Sequence, residues 1–199
     1  MHRIPVILVI TLITTIFLVG FTYLAAPKPT QQSKQTIPHK ITYNSLPKNF
    51  ELVGKEGLID KEQLIKAQTK TIVAIANLDA LVVINQLKQH FSTDFDYITA
   101  ANISQAPWLI KKMGVLPTLE KINANNTTPM IYDYNGWFAQ SLNLKDIDPS
   151  KYFIYEITSK GDVLFLFDGV VPMGAMEGNI TQEQTAEILQ TIVNRLEAK

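Results

Sequence analysis

The sequence predicts an α/β domain in which helices cover both faces of a mixed sheet, carried behind an apolar N-terminal helix. Three observations support this prediction. Residues 4–26 contain no charged side chain. Strand-like and helix-like runs alternate through most of the remaining chain. Near its end, a charged glycine turn joins two neighbouring strand-like runs, which is typical of a hairpin.

The apolar run at residues 4–26 is long enough to cross a membrane. As a helix it spans roughly 35 Å, against about 30 Å for the hydrocarbon core of a bilayer. A cleaved signal peptide has a shorter apolar region of about 7–15 residues. We therefore predict an uncleaved transmembrane anchor over residues 1–26, with a cleaved signal or a buried soluble helix as alternatives. The chain has no cysteine, so lipid attachment at a cysteine is excluded.

The segment after the anchor, residues 27–48, has four prolines, four lysines and no acidic residue. This composition favours an extended stalk over a packed element. Lys28, Lys34 and Lys40 outnumber Arg3, so the positive-inside rule favours a cytoplasmic body. A short charged tail before a long apolar run is instead typical of exported proteins. The charge pattern alone leaves the orientation open.

Residues 49–199 read as one domain. Asp60 begins a capping-box pattern and predicts a short helix ending near Ala67. Residues 71–76 are continuously apolar and rich in β-branched side chains, which predicts a strand buried on both faces. Asn77 is a candidate N-cap for the helix that follows, and residues 95–102 form the next candidate strand.

The middle of the domain is less regular. Residues 108–113 predict a helical turn after Pro107. Residues 115–128 contain Pro117 and a polar run, so we expect an irregular excursion there. Residues 130–132 predict a short strand, and residues 137–144 predict a short helix.

The last third has the clearest pattern. Residues 152–157 and 163–167 predict two strands joined by a turn in which Gly161 takes the positive φ. A capping box at Thr181 begins a terminal helix with one apolar face. A β–α–β unit that leads into a hairpin and a terminal helix is the layout of a thioredoxin-like three-layer sandwich.

Three short motifs make the likeness more specific. They are the DxNG turn (Asp133, Asn135, Gly136), the KGD hairpin turn (Lys160, Gly161, Asp162) and the TQE helix start (Thr181, Gln182, Glu183). With them, the last 130 residues or so resemble thioredoxin-like and peroxiredoxin-like domains, and within these the cysteine-free exported proteins of the YtfJ type. The resemblance implies a thioredoxin-like fold and a periplasmic or other extracytoplasmic body on a single-pass anchor.

The resemblance also shows that the chain lacks the nucleophilic cysteine of the redox members. Redox members of this superfamily carry a nucleophilic cysteine directly after the first core strand, at a helix N-terminus that stabilises the thiolate. That place is held here by Asn77, Leu78 and Asp79. Without a thiol, disulfide exchange and peroxidase chemistry are excluded, and so is copper delivery through cysteines. Pro149 is the nearest candidate for the cis-proline that these folds often place before the third core strand, although its spacing from Tyr152 is loose.

No other motif predicts catalysis. The chain contains no phosphate-binding glycine loop and no nucleophile elbow. His2, His39 and His90 lie in different segments and predict no metal site. Equal numbers of basic and acidic residues, 18 of each, argue against a nucleic-acid surface. We therefore predict no catalytic, cofactor or metal residue.

Residues 169–178 differ from an ordinary connection because they combine glycines with apolar side chains. Met173 and Met176 either fold back over the sheet edge or contact a partner protein. The favoured function is a membrane-anchored, exported, non-catalytic protein-binding or assembly module. One alternative is a non-thiol enzyme that uses carboxylates such as Asp79. Another is a pilin-like or secretion-system subunit, although the apolar helix lacks the internal glutamate typical of pilins.

Overall fold

The computed structural model describes residues 40–66, 69–124, 126–144 and 148–198. The predicted anchor over residues 1–26, and the stalk up to residue 39, lie outside these ranges. Within them, no helix combines the length and the apolar character that a membrane crossing requires.

The described residues form seven strands and seven short or medium helices. The strands are β1 (Asn49–Glu51), β2 (Leu58–Asp60), β3 (Thr71–Ala76), β4 (Asp96–Asn102), β5 (Met130–Asp133), β6 (Lys151–Ile157) and β7 (Val163–Val170). The helices are α1 (Lys61–Leu64), α2 (Leu78–Ile84), α3 (Leu87–His90), α4 (Trp108–Ile110), α5 (Leu116–Asn123), α6 (Trp137–Ser141) and α7 (Gln182–Glu197). One π-helical stretch, Lys111–Val115, joins α4 to α5, and a 3-10 turn spans Tyr43–Ser45.

The main sheet has the strand order β5-β4-β3-β6-β7. Strands β3, β4 and β5 are parallel, whereas β6 pairs antiparallel with both β3 and β7. Strands β1 and β2 form a separate antiparallel pair, and Leu52 bridges to Ile131 of β5. The predicted mixed sheet is therefore confirmed.

Strand β3 is buried on both faces, as its apolar sequence predicts. Ile72 and Ala74 pack into the core with α2 and α7. Val73 and Ile75 pack into a second core with α6 and the segment around Phe50. Two cores on opposite faces of one sheet give the three-layer, thioredoxin-like arrangement.

Two of the three predicted caps, Asn77 and Thr181, form their hydrogen bonds, whereas Asp60 makes no side-chain cap hydrogen bond and the helix after it ends at Leu64. The Asn77 side chain accepts a hydrogen bond from the Leu78 N–H at 2.9 Å. The terminal helix begins with a complete capping box, in which Thr181 and Gln184 each accept from the other's backbone N–H.

The segment predicted to be irregular, residues 115–128, is instead largely helical through α5. Pro117 is the second residue of this helix, directly after the π-helical stretch, and the helix continues beyond it to Asn123. Strands β1 and β2 have three residues each and were not predicted, because so short a run shows no period. The domain also includes residues just before position 49, since Leu46 is buried beside Phe50.

Candidate functional site

Most of the predicted functional positions meet at one edge of the sheet. Strands β3, β4 and β5 are parallel, and β7 runs in the same direction because β6 is antiparallel to both of its neighbours. All four strands therefore end at the same edge, which we call the carboxyl edge. The turn at residues 158–162 and the ion pair between Lys40 and Asp162 lie at the opposite edge.

The position of the missing cysteine is at the carboxyl edge, where β3 meets α2. The residues at this position form hydrogen bonds with other parts of the domain. The Ala80 N–H donates to the Pro149 carbonyl oxygen at 3.2 Å, so Pro149 lies beside this helix start, but its peptide bond is trans and the expected cis-proline is not found there. The Asp79 carboxylate accepts from two backbone N–H groups, those of Gly174 and Met176, each at 3.1 Å. Asp79 therefore fastens the 169–178 loop to the start of α2.

The 169–178 loop lies against the domain through its backbone. Val171 and Ala175 are buried, and the Asn179 N–H donates to the Gly174 carbonyl oxygen at 3.0 Å. The side chains of Met173 and Met176 still point outward, with exposed fractions of 76% and 36%. The backbone thus folds back, as one of the two sequence readings expects, while both methionines stay accessible to a partner.

Lys111 is a buried lysine that the sequence did not single out. Its Nζ donates to the backbone oxygens of Ser104 at 2.9 Å and Tyr134 at 2.8 Å. The ammonium also lies 4.2 Å from the centre of the Tyr134 ring. Burial lowers the pKa of Lys111, and the charge of Asp133 partly opposes this. Lys111 joins the loop after β4 to the loop after β5.

The DxNG turn has a structural role at the same edge. The Asp133 carboxylate accepts from the Phe138 N–H at 3.1 Å and the Ala139 N–H at 2.9 Å, which caps α6. Burial raises the pKa of Asp133, against the lowering effect of these hydrogen bonds. Gly136 has φ +73°, and a Cβ there would lie 2.8 Å from the Ser104 Cβ. The turn therefore packs directly onto the loop after β4.

A group of large apolar side chains is exposed directly after that loop. Trp108, Leu109, Ile110 and Met113 lie within six consecutive residues and expose 67%, 49%, 55% and 72% of their surface. We call these four residues the apolar ridge. Because Lys111 lies within this segment and is bonded to both neighbouring loops, the ridge is held against the body.

The sequence pattern does not predict the exposed ridge. The run WLIKKM places its two lysines next to each other, and a helix that exposed both would bury the apolar side chains. In the structure Lys111, the first residue of the π-helical stretch, is buried, and Trp108, Leu109, Ile110 and Met113 are exposed.

The described ranges contain no candidate metal site. They contain no group of three or more His, Asp or Glu side chains placed to hold a metal ion. His90 is exposed at the end of α3, 3.4 Å from the Gln86 side-chain oxygen, while His2 and His39 lie outside the described residues.

Comparisons with known proteins extend to the fold and no further. No protein-family model matches the chain, and a search of curated proteins finds no match. Among solved structures, an uncharacterised conserved protein from Geobacillus kaustophilus has a TM-score of 0.50 at 10% identity, covering 78% of this chain and 80% of that one.

Two further similar structures are redox proteins. A secreted Mycobacterium tuberculosis disulfide oxidoreductase has a TM-score of 0.43 at 11% identity, covering 74% of this chain and 98% of that one. A reduced peroxiredoxin from Vibrio vulnificus, in complex with H2O2, has a TM-score of 0.37 at 19% identity, covering 78% and 97%. The chain described here has a thioredoxin-like mixed α/β fold and contains no cysteine.

Proposed function

We propose that the protein is a membrane-anchored, exported binding module of thioredoxin-like fold that acts through protein contacts and not through redox chemistry. The observation that carries the proposal is the contrast at the carboxyl edge. The position of the redox cysteine is used to bind the protein's own loop through Asp79. In the segment that follows β4, four large apolar side chains are exposed.

The apolar ridge has the physical properties of a contact surface. Its four side chains expose on the order of 500 Å², the size of the largest apolar patch on a typical monomer, and such a patch often has a function. Tryptophan is enriched among the residues that dominate binding energy. Lys111 fixes the backbone of the segment, so a partner would not have to order it on binding. Met173 and Met176 add adaptable apolar surface at the same edge of the sheet.

The membrane anchor and the exported location rest on the sequence. The charge-free run at residues 4–26 supports a single span, and the resemblance to the YtfJ type supports a body outside the cytoplasm. A reporter fused after Lys199 that is active only outside the cytoplasm tests the orientation. Activity of the fusion supports an exported body, and inactivity of a stably expressed fusion contradicts it.

Site-specific photocrosslinking tests the binding role. A photoreactive amino acid replaces Met113 on the ridge in cells that express the full chain, and the adducts are identified by mass spectrometry. We expect one or a few discrete adducts. The matched control places the same group at Lys160, exposed in the turn at the opposite edge, where these adducts should be absent. Equal labelling from both positions, or none from Met113, would contradict the proposal.

The alternative function, a non-thiol enzyme that uses Asp79, is motivated by the place of this carboxylate at the start of α2. Both of its oxygens accept hydrogen bonds from the 169–178 loop, so a substrate would have to displace that loop. If catalysis depends on Asp79, replacing it with Asn should abolish the cellular phenotype of the protein even when the ridge is intact.

A further inference from the structure

Strand β1 lies beside β5, the edge strand of the main sheet, and this places a carboxylate next to an aromatic side chain. Leu52, one residue beyond β1, bridges antiparallel to Ile131. Continued by one residue, that register puts Glu51 opposite Tyr132. Burial raises the pKa of the Tyr132 phenol, and the neighbouring Tyr134 and the charge of Glu51 add to this effect. The carboxylate and the tyrosine are therefore close neighbours.

Three aromatic side chains surround the same place. The rings of Tyr132 and Tyr134 lie 5.8 Å apart, centre to centre, and are tilted by 51°. Together with Trp137 and Glu51 they line a depression of about 140 Å³. Both tyrosines are half-buried, whereas Trp137, the first residue of α6, exposes 67% of its surface. We call these four residues the aromatic pocket.

The aromatic pocket has a negative charge that the protein leaves unpaired. The charged residues of the described ranges that line the depression are Glu51 and Asp133, and both are acidic. Asp133 caps α6, and its charge acts on Lys111. Glu51 is exposed and forms no ion pair within the described ranges. Glu51 is therefore the carboxylate that is free to attract a ligand.

One ring of the pocket already contacts a cation of the protein. The Lys111 ammonium lies 4.2 Å from the centre of the Tyr134 ring, although Lys111 does not line the depression. No cation of the described part of the chain lies over the ring of Tyr132 or Trp137. Free ring faces beside a carboxylate form an environment that attracts an organic cation.

A second depression, of about 480 Å³, adjoins the first, and the two share Glu51 and Tyr132 in their walls. Its charged residues are Glu51, Glu56, Glu120 and Lys55, so acidic groups predominate. Neither Glu56 nor Glu120 forms an ion pair among the residues that the structure describes. The electrostatic field of this surface therefore favours a positively charged ligand over a negatively charged one.

We propose that the aromatic pocket binds an organic cation with a methylated ammonium group, carried by a free solute or by a lipid head group. The rings of Tyr132 and Trp137 contact the methyl groups, and the Glu51 carboxylate supplies the opposite charge. A methylated ammonium suits these walls because ring faces attract it without a hydrogen bond. A primary ammonium is more strongly hydrated and needs hydrogen-bond acceptors. The site does not depend on the binding role of the apolar ridge.

Titration of the full chain with choline tests the site, in a detergent with an uncharged sugar head group. Trp108→Phe leaves Trp137 as the single tryptophan, since the chain has two. We expect choline to change Trp137 fluorescence saturably, and sodium chloride at the same ionic strength to leave it unchanged. The matched control ligand is the neutral isostere of choline, in which a tert-butyl group replaces the trimethylammonium group. It should bind about ten-fold more weakly. No saturable change with choline, or equal affinity for the two ligands, would overturn the proposal.

Variants of the single-tryptophan chain test the assigned residues. Glu51→Gln and Tyr132→Leu should each weaken choline binding about five-fold to ten-fold. Tyr132→Phe keeps a ring and should bind choline within about two-fold of the parent chain. The matched control Glu187→Gln removes an exposed carboxylate of α7 outside both depressions and should leave the affinity unchanged. Unchanged affinity in Glu51→Gln and Tyr132→Leu, in proteins with the parent's urea midpoint, would refute the assignment.

Mixed micelles identify the source of the cation. Phosphatidylcholine or phosphatidylglycerol is added to the detergent at the same mole fraction, and Trp137 fluorescence is followed. A change at a lower concentration of phosphatidylcholine than of choline assigns the pocket to a lipid head group, and the reverse order assigns it to a free solute. An equal response to phosphatidylglycerol and phosphatidylcholine would contradict the proposal, because the methylated ammonium would then have no effect.

Discussion

The contact between Asp79 and the 169–178 loop can be tested by its effect on the loop. In Asp79→Ala, the N–H groups of Gly174 and Met176 lose their acceptor, and α2 loses the acidic residue in its first turn. Each hydrogen bond contributes roughly 1 kcal/mol, and the acid at the helix N-terminus contributes about 0.3–1 kcal/mol. The total stabilisation lost is about 2–3 kcal/mol, and most of it is lost from the closed state of the loop.

Amide hydrogen exchange at Gly174 and Met176 measures the free energy of opening the loop. A loss of about 2 kcal/mol corresponds to roughly 30-fold faster exchange at Gly174 and Met176. Asp79→Asn keeps one side-chain oxygen as an acceptor, so we expect an effect of about half that free energy. The matched control is Asp94→Asn, which removes an exposed carboxylate outside the loop and should leave both amides unchanged. Unaltered exchange at Gly174 and Met176 in Asp79→Ala would refute the role assigned to Asp79.

Three further predictions concern the rest of the carboxyl edge and the second core. Gly136→Ala should destabilise the protein by about 2–4 kcal/mol in urea unfolding, from the positive φ and from the contact with Ser104. The control variant is Gly54→Ala, because Gly54 also has a positive φ, +75°, but has open space around it. This variant should lose only about 1–2 kcal/mol of stability, and an equal loss in the two variants would contradict the packing argument. Lys111→Met should lower the free energy of unfolding by about 2–3 kcal/mol, because the carbonyl oxygens of Ser104 and Tyr134 lose their donor. It should also make the fluorescence of Trp108 easier to quench. A variant as stable as the original protein would argue that Lys111 does not anchor the ridge. Burial raises the pKa of Tyr155 to about 12, so the folded state keeps a proton that the unfolded state releases near pH 10. Tyr155 alone should therefore lower the stability by up to about 3 kcal/mol between pH 10 and 12, in addition to the effect of buried Tyr97 and Tyr152, and Tyr155→Phe should remove that part of the fall in a pH series of urea unfolding.

The sequence predicts those parts of the fold that depend on local pattern. The apolar run of β3 requires burial on both faces, and the capping residues Asn77 and Thr181 begin helices where their side chains satisfy backbone N–H groups. The glycine turn between β6 and β7 is also local. These features need no knowledge of distant contacts, and the structure confirms them.

The remaining features depend on contacts between residues far apart in the chain. Asp79 reads as an ordinary first-turn acid, and its partners lie 95 and 97 residues later. Lys111 reads as a solvated lysine until the loops after β4 and β5 bring carbonyl oxygens to it. The short pair β1–β2 is placed by Leu52, which bridges to β5, and no period in three residues predicts it.

The central claim is that this protein uses the position of the redox cysteine for structure and the apolar ridge for binding. Its most direct test compares two variants in the same crosslinking assay, with the photoreactive group at Met113. Asp79→Asn, which keeps the ridge, should retain the adducts. Trp108→Ser, which removes the largest ridge side chain, should reduce them about ten-fold. If Trp108→Ser keeps the adducts while Asp79→Asn abolishes both the adducts and the cellular phenotype, the account is contradicted and the carboxylate is the functional group.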